Sequence, residues 1–152
     1  MLPKIHFIIG LLFIIILHFI FPLISFLNLM IILFSSVFID VDHVFYYIVK
    51  EKNINPWKAY SWFKSHLNHT LSLPMNERKK IYTGFYFFHG VEGLILLFIL
   101  GTYVNQIFYF VFIGFFLHMA VDIPSEIFLK RTADKSSLIW NYHRFKLLNR
   151  SN

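Results

Sequence analysis

The sequence predicts an all-α fold: an integral membrane bundle of about four transmembrane helices, with an interfacial amphipathic helix in the central loop. Hydrophobic residues make up 57% of the 152 residues, charged residues make up only 14%, and the mean hydropathy is +0.61. The apolar residues are grouped into long runs, and the basic residues lie between these runs. Because a soluble domain of this length could not bury so much apolar surface, we expect a single membrane domain over residues 1–152.

Four apolar runs have about the length that a helix needs to cross a bilayer, which is roughly 20 residues. The predicted spans are residues 5–24, 27–49, 84–103 and 106–123. The connections within the first pair and within the second pair are short and uncharged, so each pair is predicted to form a helical hairpin. The first run is too long for a signal peptide and no small-residue cleavage site follows it, so we expect an uncleaved span.

The basic residues indicate the orientation of this bundle. All fourteen lysines and arginines fall at Lys4, in the loop 50–83 or in the tail 124–152, which four spans would place on one side. The positive-inside rule then predicts an integral protein of the cytoplasmic membrane with both termini and the central loop in the cytoplasm. Basic loops also contact anionic headgroups, so the net charge of +6 indicates the lipid bilayer as a partner, and no nucleic acid is expected.

The central loop contains a segment with its own predicted structure. Residues 55–71, "NPWKAYSWFKSHLNHTL", combine four aromatic residues with two lysines. This composition is typical of a helix that lies in the headgroup layer.

Half of the acids in the chain lie inside the predicted spans: Asp40, Asp42, Glu92 and Asp122. No lysine or arginine lies within a span to neutralise them. A carboxylate at the centre of a membrane costs about 2.5–3.5 kcal/mol on insertion scales. Protonation, water or bound cations must therefore compensate for their burial.

Histidines accompany these acids at helical spacing. Three spans each carry one such pair: Asp40 with His43 in "DVDH", His89 with Glu92 in "FFHGVEG", and His118 with Asp122 in "GFFLHMAVD". Residues three or four apart lie on one face of a helix, and inward-facing pairs of this kind supply metal ligands in helical bundles. Asp40 and Asp42 point to opposite sides of a regular helix, so either the helix is distorted there or only one of them touches metal.

The predicted depths bring these residues to one level. At 1.5 Å per residue, Asp42, His89 and His118 lie roughly 7–10 Å inside the cytoplasmic ends of their spans. His6 begins the first span at the same end, whereas His18 lies at the opposite end. The chain has no cysteine, so nitrogen and oxygen ligands predict a divalent metal, zinc or manganese before others. Four carboxylates would balance two divalent cations, so one or two ions fit.

The order of these motifs is similar to that of a known family. His6 and Gly10 at the start of the first span, then "DVDH", a histidine motif opening the third span and "GFFLHMAVD" resemble the membrane-bound metal-dependent hydrolases, the group that includes the LexA-binding inner-membrane hydrolases. In that family a proline usually precedes the Asp-x-Asp-His stretch, where this chain has Ile39. The resemblance implies metal-dependent hydrolysis and names no substrate.

Three functions follow from these patterns. The first is hydrolysis of a phosphoester or related bond in a lipid or other membrane-associated substrate, with Glu92 as a ligand or general base and Asp40 as a second catalytic group. The second is a non-catalytic carrier of metal ions or protons, and the third is a structural protein whose His/carboxylate pairs only lock helices together. The predicted metal ligands are His6, Asp42, His43, His89, Glu92, His118 and Asp122.

Overall fold

The computed structural model describes residues 3–78, 81, 84, 86–129 and 136–150, and these residues form helices joined by turns, with no strand among them. The all-α prediction is confirmed for this part of the chain. The helices are α1 (Pro3–Ile20), α2 (Phe26–Phe38), α3 (Val41–Glu51), α4 (Pro56–Ser72), α5 (Met75–Arg78), α6 (Val91–Tyr103), α7 (Ile107–Phe128) and α8 (Leu138–Arg150).

Two helical stretches in the described residues are long and apolar enough to cross a membrane. They are Phe26–Glu51, which contains α2 and α3, and Ile107–Phe128, which is α7. The apolar helices α1 and α6 are shorter than the predicted spans 5–24 and 84–103. The chain leaves the helical conformation before Pro22, and Gly90, just before α6, has an extended backbone. Length and composition therefore support two spans.

The helices α2 and α7 pack against each other at the centre of the fold. Helix α1 contacts both of them, and α6 packs against α7. Ile14 of α1 and Leu29, Ile32 and Leu33 of α2 form a buried apolar cluster. The helices approach closely where residues are small, since a Cβ atom at Gly114 would lie 2.5 Å from the carbonyl oxygen of Ile32. Large apolar side chains remain exposed on the outer faces of α1 and α6.

The described residues of the central loop and of the tail are largely helical. The predicted helix over 55–71 is present as α4, whose first N–H groups, at Trp57 and Lys58, donate to the side chain of Asn55. This helix packs against α3. In the tail, α7 continues to Phe128, five residues past the predicted end at residue 123, and α8 follows. Five basic residues used in the topology prediction lie outside the described residues: Lys79, Lys80, Lys130, Arg131 and Lys135.

Arg78 joins the end of α4 to the end of α7. Its guanidinium donates hydrogen bonds to the carbonyl oxygens of Leu71, Leu73 and Leu129. Helix C-termini leave carbonyls without helical partners, and the planar guanidinium can satisfy several of them at once.

We expect Arg78→Ala to lower the free energy of unfolding by about 2 kcal/mol, since a hydrogen bond to a charged group contributes about 1.5–3 kcal/mol. Unfolding of the detergent-purified protein by denaturant would measure this loss. The matched control is Lys64→Ala on the exposed side of α4, which should change stability by less than about 0.5 kcal/mol. Equal effects of the two substitutions would contradict the role given to Arg78.

Candidate metal centre

Four separate parts of the chain bring the predicted site residues other than Glu92 together. His6 comes from α1, the Asp40–His43 stretch comes from the junction of α2 and α3, His89 precedes α6, and His118 and Asp122 come from α7. His6, His89, His118 and Asp122 are each 2% exposed or less. Two groups of side chains present ligand atoms within 4.8 Å of one another: His6, His118 and Asp122, and Asp40, His43 and His89.

A break in the helix places Asp40 and Asp42 on the same side. Ile39 and Asp40 lie between α2 and α3, where the N–H of Asp40 donates to Val37 and the N–H of His43 donates to Asp40. These i to i−3 bonds wind the chain more tightly than an α-helix does. The distortion is one of the two alternatives that the sequence leaves open, and it lets both carboxylates reach the histidines.

The tautomers of two histidines follow from their outer contacts. Nδ1 of His118 lies 2.7 Å from the carbonyl oxygen of Ser36, and Nδ1 of His89 lies 2.9 Å from Oδ2 of Asp42. A carbonyl or carboxylate oxygen only accepts, so each Nδ1 donates and the neutral ring keeps a free electron pair on Nε2. The two Nε2 atoms face each other at 3.2 Å. Two electron pairs at this distance repel unless a proton or a metal cation lies between them.

Two carboxylate oxygens complete the arrangement around these nitrogens. Oδ1 of Asp40 lies 3.6 Å from the Nε2 atoms of both His89 and His118. Oδ2 of Asp122 lies 3.9 Å and 3.7 Å from the same two atoms. Ligands bound tetrahedrally to zinc at about 2.0–2.2 Å are separated from one another by roughly 3.3–3.6 Å. These four separations and the 3.2 Å between the two Nε2 atoms are thus close to those between the ligands of a tetrahedral metal site.

Unsatisfied polar atoms also indicate that a cation fits. Oδ2 of Asp40 and Nε2 of His6 are buried and lack a hydrogen-bond partner. His6 Nε2 lies only 3.2 Å from Oδ1 of Asp122, although not in hydrogen-bonding geometry, and its ring stacks on His118 at 3.8 Å. Buried polar atoms are rarely left without partners, because the loss of hydration is costly. A metal ion would supply the missing interaction at His6, and a water molecule would supply it at Oδ2 of Asp40.

Asp42 and His43 lie next to this centre and contact its residues from outside. Asp42 accepts hydrogen bonds from Nδ1 of His89 and from the N–H of Phe88, and its Oδ1 lies 2.8 Å from Nδ1 of His43. The ring of His43 stacks on Tyr86 at 4.1 Å. A carboxylate that binds the outer nitrogen of a metal-ligating histidine fixes its tautomer and orientation. Asp42, which the sequence predicts as a ligand itself, contacts His89 in this way. His43 approaches Oδ1 of Asp40 at 3.9 Å.

The structure uses Glu92 elsewhere, although the sequence predicts it as a ligand or base. Its two carboxylate oxygens accept hydrogen bonds from Ser137 Oγ and from the N–H groups of Leu138 and Ile139, at the start of α8. His18 lies near the other end of α1, as the sequence predicts, and it is exposed.

Sequence reasoning missed the Ser36 carbonyl that binds His118 and the Tyr86 ring that stacks on His43. A backbone carbonyl has no signal in the sequence. Tyr86 lies among other aromatic residues, and nothing in the sequence marks it as a partner of His43.

The comparisons with known proteins add no relative. No family model, curated protein or solved structure matches this chain. The chemistry of the site must therefore be argued from its own residues.

Proposed function

We propose that this chain is a membrane-embedded, metal-dependent hydrolase that acts on a phosphoester or related bond of a lipid or other membrane-associated substrate. The observation that carries the proposal is the convergence of Nε2 of His89 and His118 with Oδ1 of Asp40 and Oδ2 of Asp122. The two nitrogens lie 3.2 Å apart, and each lies 3.6–3.9 Å from the two oxygens. The proposal agrees with the family resemblance in the sequence.

The donor set favours zinc or manganese. All the converging atoms are nitrogen or oxygen, and imidazole nitrogen suits zinc better than it suits magnesium or calcium. Two carboxylates, Asp40 and Asp122, balance one divalent cation. A second ion has donors available in His6 and the second oxygen of Asp122, which lie 3.2 Å apart.

The partly exposed side of the centre is where a substrate would arrive. Side-chain exposure is 11% at Asp40 and 22% at His43, compared with at most 3% at His6, His89, His118 and Asp122. Lys50, on the same helix as His43, packs its ammonium group over the ring of Trp62 and is exposed. A cation two helical turns along α3 from His43 would attract an anionic headgroup.

We assign the role of general base to Asp40. Its Oδ1 points to the two histidines, while its Oδ2 has no hydrogen-bond partner. Oδ2 would take the proton from the water that attacks phosphorus and pass it to the leaving oxygen, which departs as an alcohol. A metal ion, when bound, supplies Lewis acidity that stabilises the negative charge developing on the phosphoryl oxygens.

Membrane insertion is the second part of the proposal. The two long apolar helices, the exposed apolar faces of α1 and α6 and the grouping of the basic residues support a four-span bundle with α4 in the headgroup layer. The positive-inside rule supports cytoplasmic termini.

Asp40→Asn tests this function, because the amide cannot act as a base. We expect the detergent-purified, zinc- or manganese-loaded protein to hydrolyse a member of a panel of lipid phosphates. Asp40→Asn should lower kcat by about 100-fold or more, in the range found for general bases. The matched control is Glu51→Gln, an exposed acid at the end of α3, which should leave kcat unchanged.

The outcomes separate the three functions. Bound metal without turnover on any member of the panel would favour a carrier. A wild-type protein that binds no transition metal would favour the structural protein, whose His/carboxylate pairs only hold helices together.

A further inference from the structure

The C-terminal helix α8 is held to the body of the protein through its first turns. The carboxylate of Glu92, in the first turn of α6, accepts from Ser137 Oγ at 2.7 Å, from the N–H of Leu138 at 3.0 Å and from the N–H of Ile139 at 3.3 Å. These N–H groups have no partner within their own helix, and the positive end of the helix favours a carboxylate. Glu92 therefore caps a helix that begins 46 residues later in the sequence.

Asn141 makes a second attachment one turn further along α8. Its side chain is fully buried, and its Nδ2 donates to the carbonyl oxygen of Gly84 at 3.1 Å. The start of α8 also packs closely against Gly90, since a Cβ atom there would lie 2.8 Å from Cγ of Leu138. The described part of α8 thus contacts both ends of the segment between residues 84 and 92.

This segment carries groups that the metal centre needs. His89 supplies an inner nitrogen, the N–H of Phe88 binds Asp42, and the ring of Tyr86 stacks on His43. The described residues from 84 to 90 form neither a helix nor a strand. A segment without its own ladder of hydrogen bonds takes its position from tertiary contacts, and α8 provides two of them.

We infer that Glu92 and Asn141 are positioning residues that hold α8 against residues 84–92 and thereby set His89 in the metal centre. The inference rests on the proposed metal centre. It assigns Glu92 a role different from that of a ligand or base. It also makes the C-terminal helix part of the site, although no α8 side chain belongs to the two groups of converging ligand atoms.

The zinc affinity of the full-length protein in detergent, measured by competition with a chelator, tests this role. We expect Glu92→Ala and Asn141→Ala each to weaken zinc binding by about 10-fold, at the lower end of the 10–100-fold effect of removing outer partners of a metal site. The double variant should lose little more than either single variant, because both residues act through the same helix. The visible spectrum of the cobalt-loaded protein should change in the same way in both single variants, as His89 moves.

Controls separate positioning from a general loss of stability. Tyr142→Ala, on the exposed side of α8, and Glu51→Gln, at an exposed acid, should leave zinc affinity and the cobalt spectrum unchanged. Glu92→Gln keeps one acceptor oxygen and serves if Glu92→Ala does not fold. It should weaken zinc binding in the same direction but by less.

The outcomes distinguish this inference from the proposed function. Wild-type protein that binds no metal would overturn both. Zinc affinity that is normal in every Glu92 and Asn141 variant would overturn the inference alone. Loss of metal in Glu92→Ala with normal binding in Asn141→Ala would make Glu92 a ligand and would also overturn it.

Discussion

His118→Ala should abolish stoichiometric metal binding. The Nε2 atom of His118 lies within 3.2–3.7 Å of three other candidate ligand atoms, and its ring is buried against His6. Removal of an inner ligand should weaken binding by more than the 10–100-fold that outer contacts contribute. Elemental analysis of detergent-purified protein would show at least one zinc or manganese ion per wild-type chain and close to none in His118→Ala. The same result is expected for His89→Ala.

His18→Ala is the matched control for this experiment. His18 belongs to the apolar helix α1 and is exposed, near the end opposite to His6. Its variant should retain the metal content of the wild type. Equal metal content in wild type, His89→Ala and His118→Ala would contradict the proposed centre.

Gly114→Ala should be the most destabilising small substitution in the apolar core. The added Cβ would lie 2.5 Å from the carbonyl oxygen of Ile32 and 3.0 Å from the backbone N of Ser36. Backbone atoms cannot rotate away as side chains do, so α2 and α7 would have to separate. Overpacking of this kind typically costs about 1–3 kcal/mol, and we expect a loss of about 3 kcal/mol in the free energy of unfolding. Because Ser36 accepts the hydrogen bond of His118, metal affinity should fall as well.

Gly93→Ala offers the same chemical change at an open position. Gly93 lies in α6, and no heavy atom other than its own local neighbours would lie within 4 Å of an added Cβ. Alanine is a better helix former than glycine by about 1 kcal/mol, so this variant should be unchanged or slightly more stable. Denaturant unfolding of the two variants beside wild type makes the comparison. A Gly114→Ala variant as stable as Gly93→Ala would show that the two helices do not approach as closely as described.

The meeting of acids and histidines could be predicted because helical periodicity is a local property. The pair His118 and Asp122 lies on one face of any helix formed by that sequence, and α7 places both side chains in the centre. The same logic holds for the Asp40–His43 stretch, where the sequence left open whether the helix is distorted. The apolar runs likewise predict helices without any knowledge of tertiary contacts.

The partners of Glu92 could not be predicted from its neighbours along the helix. Its spacing from His89 suggested a shared ligand face, but His89 precedes the helix and Glu92 lies within its first turn. The partners that engage Glu92 come from residues 137–139, 45 to 47 positions later. The contact of His118 with the carbonyl of Ser36 joins residues 82 positions apart.

The sequence by itself determined the helical class, the apolar runs and the kinds of side chain available to a cation, because these depend on composition and on neighbours along one helix. The tertiary structure alone decided which atoms converge. It selected Nε2 over Nδ1 at His89 and His118, turned Asp40 and Asp42 to one side and directed Glu92 to α8. The physical reason is that a hydrogen bond or a ligand set requires positions in space, and those positions follow from packing between segments that are distant in the chain.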